Sequence, residues 1–228
     1  MALTLCLTAR SLRLRGGEGE GEVLGPSRSF LGHNNTVLAL AYHGGILYSG
    51  GLDHYVRLWD VRSGECVGKL EPNMHHGSID TLLLKQSADS SSVLFSGDCD
   101  GMIRMWDANT DQSLGVLEGH TDAIYALLET EEPYSYIVSG SNDGTIRVWS
   151  LENLKCLTNT SYSRQTPVNA LWMARSHGVL VSASADSLVR LWKPGTSFCI
   201  MTCKGHRRTI YALTGSLYVP RDGEVLMC

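Results

Sequence analysis

Serine, histidine and aspartate recur together along this chain, and these are the residue types of a hydrolytic triad. One set consists of His120, Ser139 and Asp143, with Trp149 six residues further on. A serine hydroxyl beside an imidazole becomes a nucleophile when a carboxylate orients the ring. An active site is normally built once per domain, so the number of such sets decides between chemistry and structure.

The set is not unique, because its serine and aspartate stand at the same offset in four segments. These segments read SGGLDHYVRLW, SGDCDGMIRMW, SGSNDGTIRVW and SASADSLVRLW, and their final tryptophans are 47, 43 and 43 residues apart. Gly-His pairs precede three repeats, at Gly32-His33, Gly119-His120 and Gly205-His206, and His75 follows Met74 in another. Repetition at a fixed period predicts a repeat architecture and a structural role for these side chains.

Each repeat also contains runs such as VLALAY, ILYSG and VRLWDV, separated by Gly, Asp, Asn and Ser. Alternating β-branched and aromatic residues between turn-forming residues predict short strands. Three to four strands in each repeat make one small sheet. Because a lone sheet has two faces to cover, the sheets are expected to stack on one another.

Composition excludes several classes of protein. The chain has 228 residues, of which 43% are hydrophobic and 18% charged, and its formal net charge is −4. This balance gives no electrostatic reason to expect nucleic acid or a membrane as a partner. No apolar run reaches the roughly 18 residues of a membrane span. Seven cysteines without a secretory leader indicate a reducing compartment, so we expect the cytoplasm or nucleus.

The Gly-His pairs, the aspartate turns and the dipeptides Trp59-Asp60 and Trp106-Asp107 resemble those of WD-repeat β-propellers. The resemblance implies an all-β fold, a propeller of four-stranded antiparallel blades. We expect residues 1–26, which include the segment GGEGEGEVLGP, to be flexible, and residues 27–228 to form the propeller. Its complete repeats end near residues 60, 107, 150 and 193.

A truncated fifth repeat covers residues 204–228, with a first strand at TIYALTG and a second begun by its last four residues. The ring is therefore expected to be incomplete in this chain. Three alternatives remain: a piece or shortened form of a longer propeller, a strained five-bladed ring, or an open arc. An open arc would self-associate through its uncovered sheet faces.

In WD-repeat proteins the recurring polar residues form a hydrogen-bonded chain inside each blade, and the resemblance carries that role to matching positions here. In the fourth repeat Arg164 stands where the histidine is expected, so we predict that this blade is the loosest. The positions are His33, Ser49, Asp53 and Trp59; His75, Ser96, Asp100 and Trp106; His120, Ser139, Asp143 and Trp149; and Ser182, Asp186 and Trp192.

We expect no metal, no cofactor and no catalytic residue. Cys199, Cys203 and His206 invite a zinc hypothesis, but His206 belongs to the repeat and no second ligand pair has the spacing of a structural site. Since no unrepeated catalytic constellation is present, the chain is not predicted to be an enzyme.

The resemblance also implies a binding surface at the narrow top of the propeller. Residues three and five positions after the blade histidine, and the residue before the turn aspartate, point there in similar proteins. Their mixed apolar and polar character predicts protein or peptide partners, and hence a non-enzymatic interaction scaffold. The predicted partner-binding residues are Leu38, Leu52, Asp80, Tyr125, Asn142, Asn169 and Tyr211, with Thr36, Ser78, Cys99, Ala123, Pro167, Ala185 and Thr209 beside them.

One alternative function rests on the first repeat, which ends in Trp-Asp-x-Arg. Asp53, Trp59, Asp60 and Arg62 match the box found in substrate receptors of cullin-type ubiquitin ligases. The second and third repeats lack its final basic residue. Asp60 and Arg62 are therefore the candidate adaptor-binding residues of a ligase receptor.

Overall fold

The computed structural model describes residues 4–7, 28–70, 75–86, 91–130, 136–161, 166–174, 178–214, 217–218 and 226–227. These residues form strands, turns and irregular segments and include no helix. Within these ranges nothing has the length and apolar character of a membrane-crossing helix. Arg164 lies outside the described residues.

Within the described residues, twenty strands make four sheets of four strands and two of two strands. The first pair joins β1 (Thr4–Leu7) to β2 (Arg28–Leu31), with Leu5 opposite Phe30. Strand β1 falls within the segment 1–26 predicted to be flexible.

Each four-stranded sheet is antiparallel and adds its strands in chain order. The first contains β3 (Val37–His43), β4 (Ile46–Gly51), β5 (Val56–Asp60) and β6 (Cys66–Lys69). The second contains β7 (Ile79–Gln86), β8 (Ser92–Asp98), β9 (Ile103–Asp107) and β10 (Ser113–Leu117). The third contains β11 (Ile124–Glu129), β12 (Tyr136–Ser141), β13 (Thr145–Ser150) and β14 (Lys155–Ser161). The fourth contains β15 (Val168–Ala174), β16 (Val179–Ser184), β17 (Leu188–Trp192) and β18 (Cys199–Lys204). The all-β fold with four-stranded antiparallel sheets, one per repeat, is confirmed.

The fifth repeat differs from its predicted strand pattern. Residues 209–214 form no strand, and the pair in this region joins β19 (Leu217–Tyr218) to β20 (Leu226–Met227). Ile210 is nevertheless buried, and it packs with Val181 and Ala183 of the fourth sheet. Its backbone N–H donates to Ser184 at 3.4 Å, so this segment is held by the preceding sheet. That the ring is incomplete stays a prediction.

The chain divides into two compact units, residues 1–79 and 80–228. The core of the first unit contains Phe30, Leu47, Trp59 and Val61, and the rings of Phe30 and Trp59 meet edge to face at 5.8 Å. Strand β2 therefore contributes directly to the core of the first unit.

Within the second unit a recurring contact joins the second strand of one sheet to the first strand of the next. A Cβ atom on Gly140 would lie 2.6 Å from Val168, and one on Gly97 would lie 3.0 Å from Ile124. Glycine stands at this position because a β-branched residue of the following repeat fills the space that a side chain would need.

Candidate functional site

The third sheet holds the fullest polar network. His120 Nδ1 lies 2.8 Å from Asp143 Oδ2, and its Nε2 lies 2.6 Å from Ser139 Oγ. The indole N–H of Trp149 donates to the same serine oxygen at 2.8 Å. Asp143 also accepts from the backbone N–H groups of Thr121 and Thr145 and from the Thr145 hydroxyl. The network thus ties the strands β12 and β13 to the loop that carries the histidine.

A neutral imidazole satisfies every hydrogen bond of this network. The indole of Trp149 only donates, so the oxygen of Ser139 accepts there and its hydrogen is free to reach Nε2 of His120. The proton on Nδ1 then faces the carboxylate of Asp143. Burial lowers the pKa of His120, although the neighbouring Asp143 opposes this shift. For Asp143 burial opposes ionisation, but hydrogen bonds from His120 and Thr145 outweigh it and hold its pKa well below the usual range.

The first sheet repeats this arrangement. His33 Nδ1 lies 2.8 Å from Asp53 and its Nε2 lies 2.6 Å from Ser49 Oγ, which also accepts from Trp59 at 2.7 Å. Gly32 precedes the histidine because a Cβ there would lie 2.9 Å from the Trp59 ring.

The second sheet keeps the link from Trp106 to Ser96, at 2.9 Å, but its turn is built differently. Asp100 is exposed, and the buried carboxylate of the turn belongs to Asp98, which accepts from the backbone N–H groups of Asp100 and Met102. His75 is buried. Sequence reasoning missed Asp98, although it stands at the position of Ser141 in the third repeat, whose hydroxyl oxygen accepts from the backbone N–H of Asp143.

The fourth sheet keeps the link from Trp192 to Ser182, at 2.8 Å. Its turn carboxylate, Asp186, forms an ion pair with Arg190 at 2.7 Å and accepts from the backbone N–H of Leu188. An arginine stands four residues after the aspartate in every repeat, and Arg57 also pairs with Asp53 in the first sheet, at 3.7 Å. In the fourth sheet this ion pair balances the charge of Asp186 without a histidine in the sequence.

These sets lack the accessibility that a nucleophile needs. Their serines are fully buried and each one accepts the indole hydrogen of its own tryptophan. A substrate carbonyl could not approach such an oxygen without opening the sheet. The arrangement is suited to bracing a sheet, because in the first and third sheets every member has a partner. The four serines are Ser49, Ser96, Ser139 and Ser182.

Three predicted partner-binding residues share a backbone feature that alternation alone does not reveal. The register shifts at the second residue of the first strand, which makes Leu38, Tyr125 and Asn169 the extra residue of a β-bulge. A bulge changes the direction of one side chain without disturbing the rest of the strand. It leaves 45% of Leu38 and 39% of Tyr125 exposed.

In the second unit the structure brings several predicted positions together around one cavity. Its volume is about 460 Å³, within the range of ligand-binding pockets. Tyr211 is 78% exposed at this cavity, whereas Asn169 is half-buried and its amide nitrogen donates to Ile210 O at 2.8 Å. The lining residues are Tyr125, Asn142, Pro167, Asn169, Ala185, Thr209 and Tyr211.

The remaining predicted residues lie outside this cavity lining. Leu38 and Leu52 are exposed in the first unit, where the backbone N–H of Leu52 donates to Thr36 at 2.9 Å. Asp80 is half-buried, and its charge contributes to raising the pKa of Tyr125, after the larger effect of burial.

The residues of the ligase box occupy a tight turn. Asp60 Oδ1 accepts from the backbone N–H groups of Arg62 and Ser63, at 2.8 and 2.7 Å. Asp107 does the same for Asn109 and Thr110 in the second repeat, where the box is absent. The aspartate is therefore explained by the turn, and only the exposed Arg62 distinguishes the box.

A second recurring surface feature was not predicted. Opposite each tryptophan the fourth strand carries a bulge, and its extra residue is an apolar side chain that is 46% to 56% exposed. The signal was present in the sequence, since each of these residues stands eight positions after its repeat's tryptophan. They are Val67, Leu114, Leu157 and Ile200.

The repeats match a known family. The sequence model of the WD domain, G-beta repeat matches residues 25–60, 64–107, 111–150 and 154–193. The chain belongs to this family of WD-repeat proteins, and the resemblance inferred from the sequence is confirmed. A search of curated protein sequences gave no match.

Proposed function

We propose that the chain is a non-enzymatic scaffold of the cytoplasm or nucleus that binds partner proteins through the surface around Tyr125 and Tyr211. The observation that carries this proposal is the cavity, because its lining unites residues from three successive repeats. WD repeats support an interaction role, and the burial of all four repeated serines favours binding over hydrolysis.

The chemistry of the lining fits a protein partner. Tyrosines are enriched among the residues that dominate binding energy at interfaces, since a rigid ring offers apolar area and a polar group together. Asn142 and Thr209 add polar groups that could fix the orientation of a bound segment.

Affinity capture with the native chain tests the proposal. Tyr125→Ala and Tyr211→Ala are expected to lose partners that the wild type retains, with unchanged thermal melting. Phe198→Ala is the matched control, because Phe198 is an aromatic residue of the same unit that is 65% exposed and does not line the cavity. If both tyrosine variants kept every partner, the binding surface would be assigned wrongly.

A ubiquitin-ligase substrate receptor is the second candidate, and the exposed Arg62 beside the Asp60 turn supports it. Arg62→Ala should then abolish capture of the ligase's propeller adaptor. Asn109→Ala, at the matching position of the Asp107 turn, should leave that capture unchanged. Equal capture by wild type and Arg62→Ala would eliminate this candidate.

A further inference from the structure

We propose that the cavity of the second unit receives an arginine side chain of the partner protein. This inference rests on the proposed function and names the chemistry of the group that occupies the cavity. It follows from the hydrogen-bond acceptors, the aromatic rings and the charges around the same space.

The first observation is the orientation of two asparagine amides in the lining. Asn142 Nδ2 donates to Asp122 Oδ2, and Asn169 Nδ2 donates to the backbone oxygen of Ile210, both at 2.8 Å. A carboxylate and a carbonyl can only accept, so these contacts fix which side of each amide carries the nitrogen. Within the described part of the chain neither Oδ1 accepts a hydrogen bond, so both are available to a ligand. Each amide therefore leaves its Oδ1 as an acceptor that a ligand rich in donors would complement.

The second observation is the pair of exposed tyrosines. Tyr125 and Tyr211 both line the cavity, and each exposes a substantial part of its ring. The face of an aromatic ring attracts a cation, and the planar guanidinium group of arginine also stacks on it. Arginine combines this property with five N–H donors and no acceptor, which complements the two Oδ1 atoms.

The third observation is the sign of the charge beside Tyr125. Its pKa is raised first by burial and then by the negative charges of Asp80 and Asp122. None of the described residues that line the cavity is charged. Arg207 and Arg208 are exposed and precede Thr209 in the chain, so their charges oppose a cation and must be included in the test.

The probe is N-acetyl-arginine amide, titrated into the isotope-labelled chain and followed by NMR. Its matched control is N-acetyl-citrulline amide, which has nearly the same shape without the charge. We expect the arginine probe to shift the amide signals of Asn142 and Asn169 and to bind at least about fivefold more tightly than citrulline. A third probe, N-acetyl-lysine amide, should bind with an affinity between those of the arginine and citrulline probes. Its compact ammonium carries the charge but cannot stack on a ring or form a planar fork of hydrogen bonds.

Variants separate charge from shape. Asp122→Asn removes the charge but leaves one oxygen for the two hydrogen bonds that the carboxylate accepts, from Asn142 and from the backbone N–H of Ala123. It should therefore weaken arginine binding about twofold to fivefold more than it weakens citrulline binding. Glu152→Gln removes an exposed charge from the turn after β13 and should change nothing. Replacing Arg207 and Arg208 by serine should strengthen arginine binding.

Three results would overturn the inference: equal binding of arginine and citrulline, equal binding of arginine and lysine, or no shift at Asn142 and Asn169 with any probe. The proposed function fails by a different result. If the capture experiment loses partners in the tyrosine variants while arginine and citrulline bind equally, the surface is correct and only the assigned group is wrong.

Discussion

Protonation of His120 would change the hydrogen bond between its Nε2 and Ser139. A second N–H of the ring would then point at Ser139 Oγ, which already accepts from Trp149. The serine hydrogen would lose its acceptor, and an unsatisfied buried group costs about 1–3 kcal/mol. Burial lowers the pKa of His120 against the attraction of Asp143, and the cost of this lost hydrogen bond acts in the same direction.

The lowered pKa predicts an acid-sensitive contribution to stability. An unfolded histidine has a pKa of about 6.5, and that of folded His120 lies lower, so between the two values the unfolded chain binds more protons. Acidification below about pH 6.5 therefore favours unfolding, and the lowered pKa of Asp143 extends the loss below about pH 4. His120→Gln lacks this titration, so urea unfolding should show its destabilisation shrinking as the pH falls from neutral to about 5. A destabilisation that stayed constant or grew would contradict the neutral imidazole.

The turn carboxylates of the third and fourth sheets are expected to contribute differently to stability. Asp143 accepts four hydrogen bonds, from His120, Thr121 and Thr145, the last through both its N–H and its hydroxyl. Asp186 pairs with Arg190, and both members of that ion pair retain some exposure. Asp143→Ala should therefore lower the free energy of unfolding more than Asp186→Ala, by about 1–3 kcal/mol. Equal shifts of the two unfolding midpoints would refute the idea that the fourth sheet has the weaker network.

At the scale of single elements, the close contact between successive sheets predicts that one position of each second strand tolerates no side chain larger than that of a small residue. Gly140→Val would force a side chain into the space occupied by Val168 and should cost about 1–3 kcal/mol. Gly68→Val is the control, because a Cβ on Gly68 would have no atom within 4 Å and its backbone needs no left-handed conformation. The unfolding free energies measured in urea should separate the two variants, and similar values would argue against this packing rule.

Most strands could be predicted from the sequence, because alternating apolar residues and turn residues show where each strand begins and ends. The number of repeats predicts the number of four-stranded sheets. The bulges at Leu38, Tyr125 and Asn169 could not, since a register shift depends on which backbone groups pair across two strands. Asp98 was missed for a related reason: two aspartates stand two residues apart in that turn, and only burial shows which one is enclosed.

The candidate site also has features that the sequence predicts and features that it does not. Its residues could be predicted from the repeat offsets, because equivalent positions recur at the same place in each sheet. The cavity and the direction of the Asn142 and Asn169 amides could not, since both depend on side-chain contacts that no spacing encodes.

At the scale of the whole molecule, stability in a repeat protein is approximately a sum over repeats and the contacts between neighbours. The four equivalent serines should then each contribute a similar amount to the free energy of unfolding. A catalytic serine would instead be singular, since its loss would abolish an activity and leave folding unchanged.

The most direct test is the unfolding free energy of four single variants, with alanine replacing Ser49, Ser96, Ser139 or Ser182 in turn. Each should be destabilised by about 1–3 kcal/mol, because the buried indole N–H of its tryptophan loses its acceptor. Ser113→Ala, at an exposed position, should stay within about 0.5 kcal/mol of the wild type. Four variants as stable as the wild type would contradict the structural role assigned to these networks.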